Sequence, residues 1–226
     1  MNPAEAPTRP RLDRAAVVGV ALGLADSEGL DAVTIRRLAK ELHVTPTALY
    51  WHFADKQALL DALADQLWTD AEHRLDHPPG ENIWDELRQI FEVLVKVFRN
   101  HPALAHLAPT RVMACEPGLA ITDRTLGLLG QAGYDTASAL DAAQFLLCTA
   151  IMLVTSQPGF EIPDQAEKAR ILRQKRAFLL TLPPQRFPHV EAAVGYLVDS
   201  DDESDRYYEL GVRLIMAGLQ AKAGEP

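Results

Sequence analysis

Residues Val44–Phe53 read VTPTALYWHF, and the reading of these ten residues decides the fold. Thr45 followed by Pro46 is a helix N-cap with proline at the first helical position, where a missing N–H costs nothing. The helix that starts there is short and sets Thr, Tyr, Trp and His side by side, a mixture that burial alone does not require. Just upstream, Thr34 caps a helix whose apolar positions Ile35, Leu38, Ala39 and Leu42 follow an i, i+3, i+4, i+7 stripe, with Arg36, Arg37 and Lys40 on the other face. About three residues separate the two helices, which is helix-turn-helix spacing. His43 falls where such a tight turn calls for positive φ, a region that His tolerates better than most side chains.

Outward from this pair, Asp13 is a candidate N-cap for a helix with Val17, Val20, Ala21 and Leu24 at helical spacing, and Gly29 supplies its stop. Asp55 caps a further helix with Leu59, Leu60, Leu63 and Leu67 as its stripe, running to about Leu75. HPPGE (His77–Glu81) breaks it and marks a domain junction. Beyond the junction no alternating strand pattern occurs, and helices are expected near 82–100, 102–107, 117–131, 136–156, 164–181, 188–197 and 204–222. The predicted class is all-α. Residues 1–11, with three prolines, are expected to be a flexible arm, residues 12–76 a helix-turn-helix domain with its connecting helix, and residues 81–222 a second helical domain. The acidic run Asp199–Asp205 reads as a solvated loop.

With 226 residues, 48% of them hydrophobic, the chain can bury a sizeable core. Its longest apolar run, Phe145–Val154, falls short of the roughly 20 residues needed to span a bilayer. No basic segment followed by an apolar one opens the chain, so a cytoplasmic location and no membrane partner are expected. Cys115 and Cys148 sit in apolar surroundings and read as unpaired core thiols of a reducing compartment. The net charge of −9 is unevenly spread. Residues 1–56 carry seven basic and seven acidic side chains, so the deficit lies wholly in the remainder. Only the neutral, arginine-bearing head can approach phosphates.

In a helix-turn-helix the second helix enters the major groove with its N-terminal residues at base edges, while the first crosses the backbone. Pro46, Thr47 and Ala48 then face the bases, with Tyr50 one turn later. Small residues allow close docking, with methyls available for thymine and hydroxyls for either base. Tyr50, His52 and Lys56 can reach phosphates or sugars. Leu49, Trp51 and Phe53 are expected to point back into the three-helix core.

The stretch VTIRRLAKELHVTPTALYWHFADKQALLDALAD (Val33–Asp65) resembles the DNA-binding head of the tetracycline-repressor (TetR) family of bacterial transcriptional regulators. Within it LYWHF..K..LLDALA is similar to the tetracycline repressors themselves. DRYYELGVRLIMAGLQA (Asp205–Ala221) resembles the last helix of their regulatory domain. The resemblance implies base-proximal roles for Arg36, Pro46, Thr47 and Tyr50, with Thr34, Ala48, His52 and Lys56 along the backbone; Thr45, as cap of the recognition helix, completes the set. His43 departs from the glycine usual at the turn. Also implied are a double-stranded DNA operator, a homodimer and a small-molecule effector.

The dimer has independent support in the sequence. Residues 136–156 are apolar nearly all round, with Leu140, Leu147, Ile151 and Val154 on one side and Phe145, Leu146, Met152 and Leu153 on another, so both sides must be covered. The last helix combines Leu210, Leu214 and Leu219 with the small residues Gly211, Ala217 and Gly218. Two such helices from each subunit make a four-helix interface.

For the effector, Trp84, Phe91, Phe98, Met113, Phe145 and Met152 are candidates to line an apolar cavity. HPALAHLAPTR (His101–Arg111) resembles the tetracycline-repressor segment whose histidine holds a drug-bound magnesium, and His106 matches that histidine. VTSQP (Val154–Pro158) lacks the partner carboxylate, however, and DAEHR (Asp70–Arg74) lacks the expected polar pair. No metal and no cofactor are therefore expected. His106, Thr110 and Arg111 are left to orient one polar end of a mostly apolar effector. His73 and His77, spaced i, i+4, read as an exposed helix end. The alternative, an all-α enzyme using His101 or His106 as acid or base, lacks every motif it would need: no nucleophile elbow, zinc-binding helix, phosphate loop or dinucleotide fingerprint occurs. No catalytic residue is assigned.

Overall fold

A computed structural model of the protein describes residues 13–76, 82–156, 165–198 and 203–223. The arm and the HPPGE junction lie outside the described residues. Among the described residues every regular element is helical: α1 (Arg14–Glu28), a 3-10 turn (Leu30–Ala32), α2 (Ile35–Glu41), α3 (Pro46–Tyr50), α4 (Lys56–Leu75), α5 (Ile83–Asn100), a 3-10 segment (Pro102–Leu107), α6 (Ala108–Arg111), α7 (Glu116–Gln131), α8 (Thr136–Thr155), α9 (Gln165–Leu179), α10 (Pro188–Val198) and α11 (Glu203–Ala223).

Side chains at the starts of the head helices fix their boundaries. Asp13 accepts from the Ala16 amide at 2.7 Å, Thr34 from Arg37 at 3.1 Å, Thr45 from Ala48 at 3.3 Å and Asp55 from Ala58 at 2.8 Å, each satisfying an amide that the first turn leaves without a partner. Gly29 ends α1 with φ 85°, and His43 makes the turn after α2 with φ 55°. Its Nδ1 lies 2.9 Å from the Lys40 carbonyl, a local contact that offsets part of the cost of the left-handed backbone. Val17, Ala21, Leu38, Leu49, Phe53, Leu59 and Leu63 are buried together and hold α1 to α4 as one unit. Each of the larger side chains among them contributes about 1.5–3 kcal/mol on burial.

α4 belongs to both halves of the molecule. It packs on α1 in the head and on α5, α6 and α7 in the body. At its C-terminal end Arg124 donates to the Leu75 carbonyl at 3.2 Å and pairs with Glu86 at 2.6 Å. His101 lies 2.9 Å from Asp26 of α1, with its other ring nitrogen 3.9 Å from Asp70 of α4, so head and body also meet through a polar tie.

In the body α5 runs against α8, α7 and α11. Among the described residues α8 alone is long and apolar enough, by length and composition, to cross a membrane, but only a third of that span is buried within the protomer. Its Leu146, Leu147, Ala150, Leu153 and Val154 face the core. Phe145 of α8 is exposed beside Leu214 of α11, and Met152 and Leu210 are exposed on the same two helices, so an apolar two-helix face is left open. Gly211 permits this pairing, since a Cβ there would come within 2.8 Å of the Leu153 side chain.

Three expectations need correction. Trp51 is 86% exposed instead of buried with Leu49 and Phe53. Those three residues are spaced at i, i+2, i+4, and at 100° per residue a helix cannot bring the middle one to the face of the other two. Cys148 is exposed on α8 and is no core thiol, while Cys115 is half-buried, its thiol pushed up by burial. Finally, the end of the acidic run is helix: Glu203–Asp205 open α11, and Asp205 pairs with Arg99 at 2.7 Å. Residues 199–202 lie outside the described residues.

Candidate nucleic-acid interface and small-molecule cavity

α2 and α3 pack against each other and carry most of the candidate DNA-contacting residues. Thr34, Arg36, Thr45, Pro46, Thr47, Tyr50 and, at the start of α4, Lys56 are exposed, while Ala48 and His52 are half-buried. Arg37 does not join them: its guanidinium pairs with Glu28 at 2.7 Å and Glu41 at 2.8 Å, and the hydrogen bond to Glu41, then that to Glu28, raise its pKa. Arg36 and Lys56 form no such bridge among the described residues. Two contributors escaped the sequence. Trp51 places an indole beside Tyr50 on the outer surface. Arg14 donates to the His52 carbonyl at 3.3 Å and lies 4.7 Å over the Phe53 ring, fixing the end of α3 against α1.

The body holds a cavity of about 270 Å³ between α4, α5, α6, α7 and α8. Trp68, Phe91, Leu94 and Leu147 supply much of its apolar wall, and Thr122, Thr125, Gln144 and Cys148 its polar atoms. Gly118, in the first turn of α7, lets that wall approach closely: a Cβ there would meet the Val112 carbonyl oxygen at 2.4 Å. The Trp68 indole N–H donates to the Ala108 carbonyl at 3.1 Å, so one side chain both lines the cavity and joins α4 to α6.

Of the effector candidates, Phe91 and Met113 line this cavity. Phe98 is buried elsewhere, a turn beyond Leu94 along α5 and about 10 Å from Phe91 at 1.5 Å per residue. Phe145 lies in a surface groove with Leu214 and Gly218, on the open face of α8 and α11. Met152 is exposed a turn past Cys148. His106 is exposed at the end of the 3-10 segment. Thr110 is also exposed, its hydroxyl donating to the Leu107 carbonyl at 2.8 Å. Arg111 is engaged by Asp65 at 2.7 Å. Trp84 is half-buried outside the cavity lining. His73 borders a polar cleft with Glu72 and Asp76, and His77 lies outside the described residues. The lining that sequence reading missed, Trp68, Thr122, Thr125 and Gln144, comes from three helices, and no local spacing signals it.

Known proteins share this arrangement. Residues 18–63 match the family model for bacterial regulatory proteins of the tetR family, and residues 78–223 match the tetracyclin repressor-like C-terminal domain. An HTH-type transcriptional regulator of Saccharopolyspora erythraea is 27% identical over 96% of this chain and 88% of its own. The class C tetracycline repressor protein of Escherichia coli is 31% identical over 93% of this chain and 91% of its own. Among solved structures, Streptomyces coelicolor ActR in complex with actinorhodin is similar with a TM-score of 0.73 and 30% identity, covering 96% of this chain and 100% of that one. The two family matches together span head and body, and the chain belongs to the TetR family of bacterial regulatory proteins.

Proposed function

We propose that this protein is a transcriptional repressor that holds an inverted-repeat operator as a homodimer and leaves it when a mostly apolar small molecule enters the body. The observation that carries this reading is Trp68. It lines the cavity, bonds to α6, and sits on the helix whose first residue, the exposed Lys56, is assigned in this reading to the DNA-facing surface. A ligand that binds one arrangement of α4 and α6 better than another shifts the heads accordingly, by no more than its difference in affinity.

In this reading the head spans residues 12–76 with its connecting helix, and the body residues 81–222. Pro46, Thr47, Ala48 and Tyr50 read bases together with Arg36, and Thr34, Thr45, His52 and Lys56 track the backbone, joined by Trp51. The open faces of α8 and α11 meet their copies in the partner. That contact accounts for an apolar α8 left largely uncovered in one protomer and removes any need for a membrane. The cavity takes the effector with Phe91 and Met113 in its wall. Similarity to ActR, whose crystal structure holds actinorhodin, supports a ligand-accepting body. The family is one of regulators, and work on DNA supports a cytoplasmic location. Fluorescence anisotropy with duplexes from the DNA adjoining its coding region tests the reading. Tight binding to a palindromic fragment supports it, and binding no tighter than to random duplex for all such fragments refutes it.

A further inference from the structure

The cavity is apolar, but its few polar groups are not balanced between donors and acceptors. Three of its N–H or O–H donors are already spent inside the protein. The Trp68 indole N–H goes to the Ala108 carbonyl at 3.1 Å, the Thr122 hydroxyl to the Gly118 carbonyl at 2.8 Å and the Thr125 hydroxyl to the Ile121 carbonyl at 2.7 Å. A threonine whose proton is committed to its own helix has only oxygen lone pairs left to offer a ligand. Gln144 is the one lining amide, able to donate and accept. Acceptor capacity therefore exceeds donor capacity. The lining also contains no Asp, Glu, Lys, Arg or His among the described residues. The nearby guanidinium of Arg111 is held by Asp65 at 2.7 and 3.2 Å and by the Ala114 carbonyl at 3.1 Å.

We propose that the cavity selects an uncharged, ring-sized apolar molecule bearing hydroxyl donors, which Thr122 and Thr125 accept, with a carbonyl or second hydroxyl at Gln144. This rests on the reading of the cavity as the effector site and names the class of effector it admits. A charged ligand is excluded because nothing in the wall compensates a charge taken out of water. A ligand with acceptors alone finds donors only at Gln144 and the weakly donating Cys148 thiol, and faces two threonine oxygens that cannot donate back.

Three naphthalene derivatives of nearly equal size separate this from plain hydrophobic capture: 1-naphthol, 1-methoxynaphthalene and 1-naphthoate, titrated by calorimetry into the intact protein at neutral pH. An indifferent greasy pocket prefers the ether, the more apolar of the two neutral compounds. Selection for donors predicts the reverse: naphthol bound about tenfold tighter than the ether, with naphthoate weaker than both. Thr122→Val with Thr125→Val, which keeps side-chain shape, is expected to abolish the naphthol preference. A thermal melt checks that the variant folds, and the native series stands as a test whether or not it does. An ether that binds as tightly as naphthol, binding of none of the three, or a preference that survives in the folded double variant overturns the proposal. Operator release is read separately. Naphthol that binds with the stated preference yet leaves DNA bound would overturn effector-driven release while leaving the cavity's selectivity intact.

Discussion

Arg111 and Asp65 form a two-pronged ion pair, Nε to Oδ1 at 2.7 Å and Nη2 to Oδ2 at 3.2 Å, across 46 residues of sequence. Asp61, one turn earlier on α4, stands 3.8 Å from the same guanidinium. The hydrogen bond that Arg111 donates to Asp65 raises the Arg111 pKa, so the guanidinium stays charged throughout the working range. α6, which floors the cavity, is thereby fastened to α4, which carries the head.

Arg111→Ala is expected to lower stability by about 1–2 kcal/mol, because it leaves a partly buried carboxylate with no partner. Operator affinity without effector is expected to stay within about threefold, while effector releases less DNA, since the link from α6 to α4 is cut. Urea unfolding and anisotropy with and without effector measure the two effects. A variant with unaltered release would show that this pair is structural only.

At the DNA surface, base contacts and phosphate contacts are expected to separate by phenotype. Lys56→Ala weakens all sequences alike and lowers the salt slope by about one unit. Thr47→Val instead relaxes sequence preference while leaving the slope unaltered. Trp51 supplies an internal signal: its exposed indole is expected to change emission on operator binding, and Trp51→Phe to abolish that change, since Trp68 is buried and Trp84 lies on α5 of the body. An emission change that persists in Trp51→Phe would place the reporter elsewhere.

Two backbone positions make opposite predictions. His43 occupies the left-handed region with φ 55°, which glycine adopts freely. His43→Gly is expected to leave stability unchanged or raise it by up to about 1 kcal/mol, and His43→Val to lower it by more than about 1 kcal/mol. Gly118 has no space for a Cβ, because the atom 2.4 Å away is a backbone oxygen that cannot swing aside. Gly118→Ala is expected to cost about 1–3 kcal/mol and to distort the α6–α7 wall of the cavity. Thermal melts of the three variants decide both points.

The head was legible from sequence because its determinants are local. Asp13, Thr34, Thr45 and Asp55 cap their helices by accepting from amides three residues away, and His43 sits at a turn whose geometry its neighbours dictate. Trp51 was misplaced by pairing it with Leu49 and Phe53 at a spacing that suits a strand. The cavity resisted for a different reason. Aromatic content flags Phe91, Phe98 and Phe145 alike, yet packing sends the first to the cavity, the second to the core beyond it and the third to the outer face. Arg111, read as an anchor for a polar ligand end, is claimed by a carboxylate that only the tertiary fold brings near.

The outer face of α8 and α11 yields the last prediction. Phe145 is 57% exposed and Leu214 64% exposed within one protomer, flanking a groove that also contains Gly218, where a Cβ would meet nothing within 4 Å. Covering two such large apolar side chains contributes about 1.5–3 kcal/mol for each, and the two-fold symmetry of a homodimer counts every contact twice. Phe145→Glu with Leu214→Glu replaces that gain with carboxylates that must lose water against their own copies. Neither residue lies in the protomer core, so the folded subunit is expected to survive with an unchanged circular dichroism spectrum. Light scattering should then report half the native mass. Operator affinity is expected to fall by at least about a hundredfold, because a lone head holds one half-site and the two recognition helices are no longer set about 34–36 Å apart. A double variant that keeps the native mass would place the dimer contact on another face.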